Sequence, residues 1–283
     1  MSEHTVRVAA VGDLHCAKTS HAGLQPWLSR VAESADVLLL AGDLTDYGLP
    51  DEAKALVKEL SSVRIPTVAV LGNHDIESGH ESDVSQIFTD AGIGVLKGSA
   101  CEMHGIGIAG AKGFCGGFGR HALGPWGETI VKQFVHEAVN EALKLEAALA
   151  RLRTKQRIVL LHYAPIQKTV EGEPLEIYPF LGSSHLEDPI CQYSVSLVLH
   201  GDAHRGQPHG LTKTGVPVYN VAMQLLMRQF ADTPPFRVFE VAVSDAAAAD
   251  TVHPQPPMDT REPAAPVAVD APRGRRATDL VSH

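Results

Sequence analysis

The chain has 283 residues, 44% of them hydrophobic, which suits one large or two small globular domains with a substantial core. A formal charge of −9 and a pI near 5.9 repel polyanions, so a nucleic acid polymer is not an expected partner, although a local positive site can still bind phosphate. No apolar run approaches the roughly 20 residues of a membrane span, there is no signal-peptide pattern, and Cys16, Cys101, Cys115 and Cys191 form no CxxC; the expectation is a cytoplasmic protein without membrane contact, disulfide framework or cysteine zinc site.

Residues 5–11 are β-branched and apolar enough for a buried strand, and they stop at Gly12-Asp13-Leu14-His15. A helical stretch over about 22–34 precedes a second apolar run, 36–41, which stops at Gly42-Asp43-Leu44-Thr45-Asp46. Between 50 and 62, Ala53, Leu56, Val57 and Leu60 mark one face of an amphipathic helix. A third strand, 67–71, ends in Gly72-Asn73-His74-Asp75. This alternation predicts parallel strands joined by crossover helices, with polar residues gathered along the carboxyl edge of the sheet.

From 93 to 119 short alternating runs lead into a glycine-dense stretch that matches neither GxGxxG nor a P-loop. It reads first as a flexible loop after an antiparallel strand, and alternatively as a loop lining the substrate entrance, where Arg120 or His121 could touch a phosphate. Residues 127–153 carry a long helical stripe, Val131, Phe134, Val135, Ala138, Ala142, Leu145, Leu149 and Leu152, expected to be core packing. A fourth apolar run, 157–161, stops at His162. The polar excursion 166–192, with His185, is expected to be an irregular functional loop. A fifth run, 194–199, ends in His200-Gly201-Asp202-Ala203-His204, and strands over 216–222 and 236–243 close the domain, 1–243. The segment 244–283 is rich in proline and alanine and without aromatic residues, so it is expected to be disordered.

A single polar strand end means little, because a lone histidine is more often structural than ligating. Five in one chain gather Asp13, His15, Asp43, Asn73, His162, Asp202 and His204. Oxygen and nitrogen donors without a thiolate point to Mn, Fe, Zn or Mg rather than a structural zinc site. They are too many for one tetrahedral ion and suit two ions roughly 3.5–4 Å apart sharing a carboxylate.

The series Asp13-x-His15, Gly42-Asp43-x-x-Asp46, Gly72-Asn73-His74-Asp75, His162 and Gly201-x-x-His204 resembles the five-block signature of the calcineurin-like metallophosphoesterases. The resemblance covers residues 5 to about 222 and implies a four-layer α/β/β/α sandwich, two mixed sheets flanked by helices. It implies that Asp13, His15 and His204 hold one metal, that Asn73, His162 and position 202 hold the other, and that Asp43 bridges them. It further implies that a metal-bridging hydroxide attacks phosphorus in line, that His74 protonates the leaving oxygen or stabilises transition-state charge with Asp75 orienting it, and that Asp46 supports the loop.

One position departs from the pattern: Asp202 stands where the family has histidine, in a block usually read Gly-His-x-His. A carboxylate can still ligate; with it the two ions and their ligands carry about +1 instead of about +2, which weakens activation of the bridging water and favours hard ions such as Mn or Mg. His200 is no substitute, since neighbouring strand side chains face opposite ways. The Gly-Asn-His-Asp block is similar to that of the class III cyclic-nucleotide phosphodiesterases, so a small phosphodiester is the first expected substrate. A phosphomonoester or phosphoprotein is the alternative. A non-enzymatic scaffold on this fold should have lost His74, which this chain keeps.

Overall fold

Residues 3–18 and 24–244 are described by the structure, a computed structural model. A first sheet takes β1 (Glu3–Val11), β2 (Val37–Ala41), β3 (Thr67–Val70) and β4 (Gly94–Val95), with α1 (Gln25–Ser34), α2 (Pro50–Leu60) and α3 (Glu81–Asp90) in the crossovers. The second takes β5 (Ser99–Met103), β6 (Ile106–Gly110), β7 (Gln156–Leu160), β8 (Leu197–His200), β9 (His209–Leu211) and β10 (Pro217–Asn220), with α4 (Thr129–Arg151) and α5 (Glu187–Gln192) on its connections. After α6 (Met223–Gln229) the chain returns through β11 (Arg237–Ser244) to pair antiparallel with β1. The orders are β11-β1-β2-β3-β4 and β5-β6-β7-β8-β10-β9, and both sheets mix parallel with antiparallel pairs.

Side-chain alternation sets the layers. Every residue of β2 is buried, yet Val37, Leu39 and Ala41 join Val8, Val68, Ile158 and Leu199 between the sheets, while Leu38 and Leu40 pack outward with Leu28, Leu56 and Phe88 of the helices. On the second sheet Val159 and Val198 face Leu145 and Leu149 of α4. Burying each such side chain contributes about 1.5–3 kcal/mol, and a one-residue slip would exchange the two faces of a strand. Helices, sheet, sheet, helices is the four-layer order. Helix α2 starts cleanly: Pro50 occupies its first turn and the Glu52 carboxylate accepts from the amides of Tyr47 and Leu49 at 2.8 and 3.2 Å.

Two expectations change. The excursion 166–192 is not structureless: short 3-10 turns over Gln167–Val170, Leu175–Phe180 and Ser184–Leu186 run into α5, each too brief to leave a periodic signature. Helices α3 and α6, which no pattern suggested, also form. The expected tail lies outside the described residues apart from Ser244. Among the described residues no helix is long and apolar enough to cross a membrane.

Candidate metal centre

All five polar blocks sit on turns just beyond the carboxyl ends of β1, β2, β3, β7 and β8, so three come from one sheet and two from the other. The turns are tight and strained. Of the five described non-glycine residues with positive φ, four are Asp13 (58°), His15 (42°), Asp43 (47°) and Asp202 (68°). The left-handed region costs about 1–2 kcal/mol for such residues, and strain of this kind persists only where the surroundings over-determine it. The glycines before the acids make room: a Cβ on Gly72 would overlap Asp43 Oδ1, and one on Gly201 would overlap Asp13 Oδ2.

Potential ligand atoms of Asp13, His15 and His204 lie within 4.8 Å of one another, as do those of Asp13, Asp43 and His162. Asp43 reaches both halves: Oδ2 is 3.9 Å from His15 Nε2 and Oδ1 is 3.4 Å from His162 Nε2. His162 Nε2 also lies 2.8 Å from Asn73 Oδ1 and 3.8 Å from Asp202 Oδ1, and His204 Nε2 lies 3.1 Å from Asp13 Oδ1. The seven residues named from the sequence therefore share one locus.

Its electrostatics call for cations. Asp13 and Asp43 are buried, and burial of Asp202 beside them pushes its carboxyl up to about 7. Burial alone would lower His162, but Asp43, Asp202, Asp13 and the Ala41 carbonyl outweigh it and lift the ring to about 9. Nδ1 of His162 lies 3.0 Å from the Ala41 carbonyl, which can only accept, so that nitrogen carries a proton and Nε2, 2.8 Å from Asn73 Oδ1, is the one left for a metal ion. His15 Nε2 and Asp202 Oδ2, one in each half, are buried without a hydrogen-bond partner. Unpaired donor atoms of this type in a buried acidic pocket fit a pair of divalent ions.

His74 and Asp75 differ from expectation. His74 Nδ1 is 2.6 Å from the backbone oxygen of Asp46, so that carbonyl, not Asp75, orients the ring. The Asp75 carboxylate instead accepts from the amides of Gly72 (2.8 Å), Leu44 (3.1 Å) and Thr45 (2.8 Å) and from the Thr45 hydroxyl (2.6 Å), which ties the β3 turn to the β2 turn. Burial lowers the His74 pKa, but the Asp46 carbonyl, Asp43, Glu77 and the Asp46 carboxylate together raise it, which favours an imidazolium. The His74 amide donates to Asp43 Oδ1 at 2.9 Å, and Asp46 Oδ1 stands 3.6 Å from His15 Nδ1.

Arg120 and His121 occupy an exposed 3-10 turn with Arg120 Nε 3.2 Å from His121 Nε2, and His185 bonds through its amide to Ser183. Among the described residues no hydrogen bond or ion pair joins these three to the cluster. Gln224, which no motif signals, donates through Nε2 to the Asp13 carbonyl at 2.9 Å and leaves its buried Oε1 unpaired. His200 points away: its Nε2 is 2.8 Å from Thr169 Oγ1, and burial holds the ring down at about 4.

No curated protein matches the sequence. Among solved structures, phosphopantetheinyl hydrolase from Mycobacterium tuberculosis is similar at a TM-score of 0.59 and 15% identity, over 82% of this chain and 95% of that one. TT1561 of Thermus thermophilus is similar at 0.49 and 16%, over 77% and 90%, and a putative 5'-nucleotidase from Staphylococcus aureus at 0.48 and 17%, over 77% and 48%. At 15% identity the first of these likenesses speaks for the fold alone. The model of the calcineurin-like phosphoesterases matches residues 6–206, most of the chain, so the protein belongs to that family and is a metal-dependent phosphoester hydrolase.

Proposed function

We propose that the protein hydrolyses a small phosphodiester at a two-metal centre in which Asp13, His15 and His204 hold one ion, Asn73, His162 and Asp202 hold the other, and Asp43 bridges. The observation that carries this reading is the division of Asp43, with one carboxylate oxygen toward His15 and the other toward His162. When bound, the ions supply an acidified water as nucleophile and positive charge for the phosphate oxygens. His74, its Nδ1 held by the Asp46 carbonyl, has Nε2 left to deliver a proton to the leaving oxygen. Asp75 keeps the turns of Asp43 and Asn73 in register through its hydrogen bonds to the β2 and β3 turns. Arg120, His121 and His185 are assigned to substrate contact and not to a chemical step.

The choice of a diester is supported by charge. Among the described residues the cluster's ion pairs join carboxylates to histidines alone, with no lysine or arginine clamp for a doubly charged phosphomonoester. Carboxylate and amide oxygens on four of the blocks favour Mn among the candidate ions. Four free cysteines support a reducing, cytoplasmic setting.

With Mn2+ the full chain should turn over bis-p-nitrophenyl phosphate with a higher kcat/KM than p-nitrophenyl phosphate, and cyclic nucleotides are the next substrates to assay. The opposite preference would move the reading to a phosphomonoesterase. Asp202 has its own test, metal content per chain after dialysis against Mn2+. Wild type and Asp202→His should both hold two ions; one ion in wild type and two in the variant would show that the carboxylate does not ligate.

A further inference from the structure

Three polar side chains beneath the metal centre have no part in the proposed chemistry. Thr169, His200 and Asn220 are each 0% exposed, a costly placement unless their hydrogen bonds are filled. They come from separate elements, the Gln167–Val170 turn, the end of β8 and the end of β10. All converge on the turn that carries Asp202 and His204.

The Gly201 carbonyl, 2.8 Å from His200 Nδ1, can only accept, so Nδ1 carries a proton; in the neutral ring Nε2 then accepts from the Thr169 hydroxyl at 2.8 Å. Asn220 Nδ2 donates to the Ala203 carbonyl at 2.7 Å and reaches the Thr169 carbonyl at 3.5 Å, while Asn220 Oδ1 accepts from the Ala222 amide at 3.0 Å. The Gln207 amide donates to the Thr169 carbonyl at 3.0 Å, and Gly206 lies so close that a Cβ there would overlap the same oxygen. Backbone groups of residues 201, 203 and 207 are thus pinned by groups that do not face the metals.

The pinning has a purpose at Asp202, whose φ of 68° is strained and whose amide stands 3.0 Å from both oxygens of Asp13. Left to itself the turn would relax toward negative φ and carry Asp202 and His204 off their positions. Resting on the metal-centre reading above, we infer that Thr169, His200 and Asn220 form a positioning lock that holds Asp202 and His204 ready for metal.

Calorimetric titration of the metal-free full chain with Mn2+ tests this, with thermal melting of the metal-free protein as the check on folding. Thr169→Val keeps the side-chain shape and removes the hydroxyl; it should weaken Mn2+ binding about 10–100-fold. Thr169→Ser should restore it. Asn220→Asp keeps the acceptor for the Ala222 amide and loses the donor to Ala203, and should weaken binding similarly, so the outcome does not hang on one variant folding. Wild-type affinity in a folded Thr169→Val or Asn220→Asp chain overturns the lock, and so does equal weakening by valine and serine, which would mark packing as the cause. A wild-type chain that binds no pair of Mn2+ ions removes the metal-centre reading and this inference together, so the two failures are told apart.

Discussion

Gly72→Ala should abolish Mn2+-dependent hydrolysis, with kcat/KM lowered more than about a hundredfold and Mn2+ binding weakened alongside. The new methyl would overlap Asp43 Oδ1 and the Asp43 backbone nitrogen, so the carboxylate that reaches both halves of the centre and the turn that carries it must both shift. No flexible neighbour can absorb the clash, because the Gly72 amide is held by Asp75 at 2.8 Å and the Asp43 backbone sits at φ 47°. Overpacking of this kind costs about 1–3 kcal/mol, which leaves the sheets folded. Initial rates, calorimetric Mn2+ titration and a melting curve measured together check the prediction. A folded variant with wild-type rate and metal affinity would show that Asp43 does not occupy the bridging position.

His74→Asn should produce a loss that depends on the leaving group. If His74 protonates the departing oxygen, kcat on an alkyl phosphodiester falls about 10²–10⁴-fold. Bis-p-nitrophenyl phosphate, whose leaving group departs as a stable anion, should lose far less. Equal losses on both substrates would instead place the imidazolium's role in stabilising charge on the phosphate. Metal content should remain that of wild type, since His74 Nδ1 is committed to the Asp46 carbonyl. Rates on the two substrates at a single pH and a metal assay decide between these outcomes.

The strand ends are legible in the residues themselves because each apolar run stops at a turn rich in carboxylate, amide or imidazole, an unusual set to leave at the margin of a core. Burial of β2 on both faces, with alternate residues feeding different layers, follows from the same runs. The partner of His74 is not legible there. Asp75 is its neighbour in sequence, but the 3-10 turn His74–Ile76 rotates successive side chains by roughly a third of a circle, so Asp75 turns inward to Thr45 while His74 meets the Asp46 carbonyl. Backbone acceptors leave no mark in residue identity. Helix α6 is only seven residues long, too short for a periodic stripe, which hides Gln224 and its bond to the Asp13 carbonyl. In α3 the buried face reduces to Val84 and Phe88, too sparse a pattern to stand out.

The cluster draws Asp13, His15, Asp43 and Asn73 from one sheet and His162, Asp202 and His204 from the other, so neither sheet alone carries all seven. On the proposed two-metal reading, catalysis is a readout of alignment between two slabs. A slide of about 1 Å along their shared apolar layer would keep the ladders within each sheet, strain the Gly12–Ala222 bridge that joins the sheets, part His162 from Asp43 and, on that reading, cost orders of magnitude in rate. Substitutions among Leu39, Val68, Ile158 and Leu199, distant in chemistry from any phosphate, belong on that account among the residues through which activity is tuned.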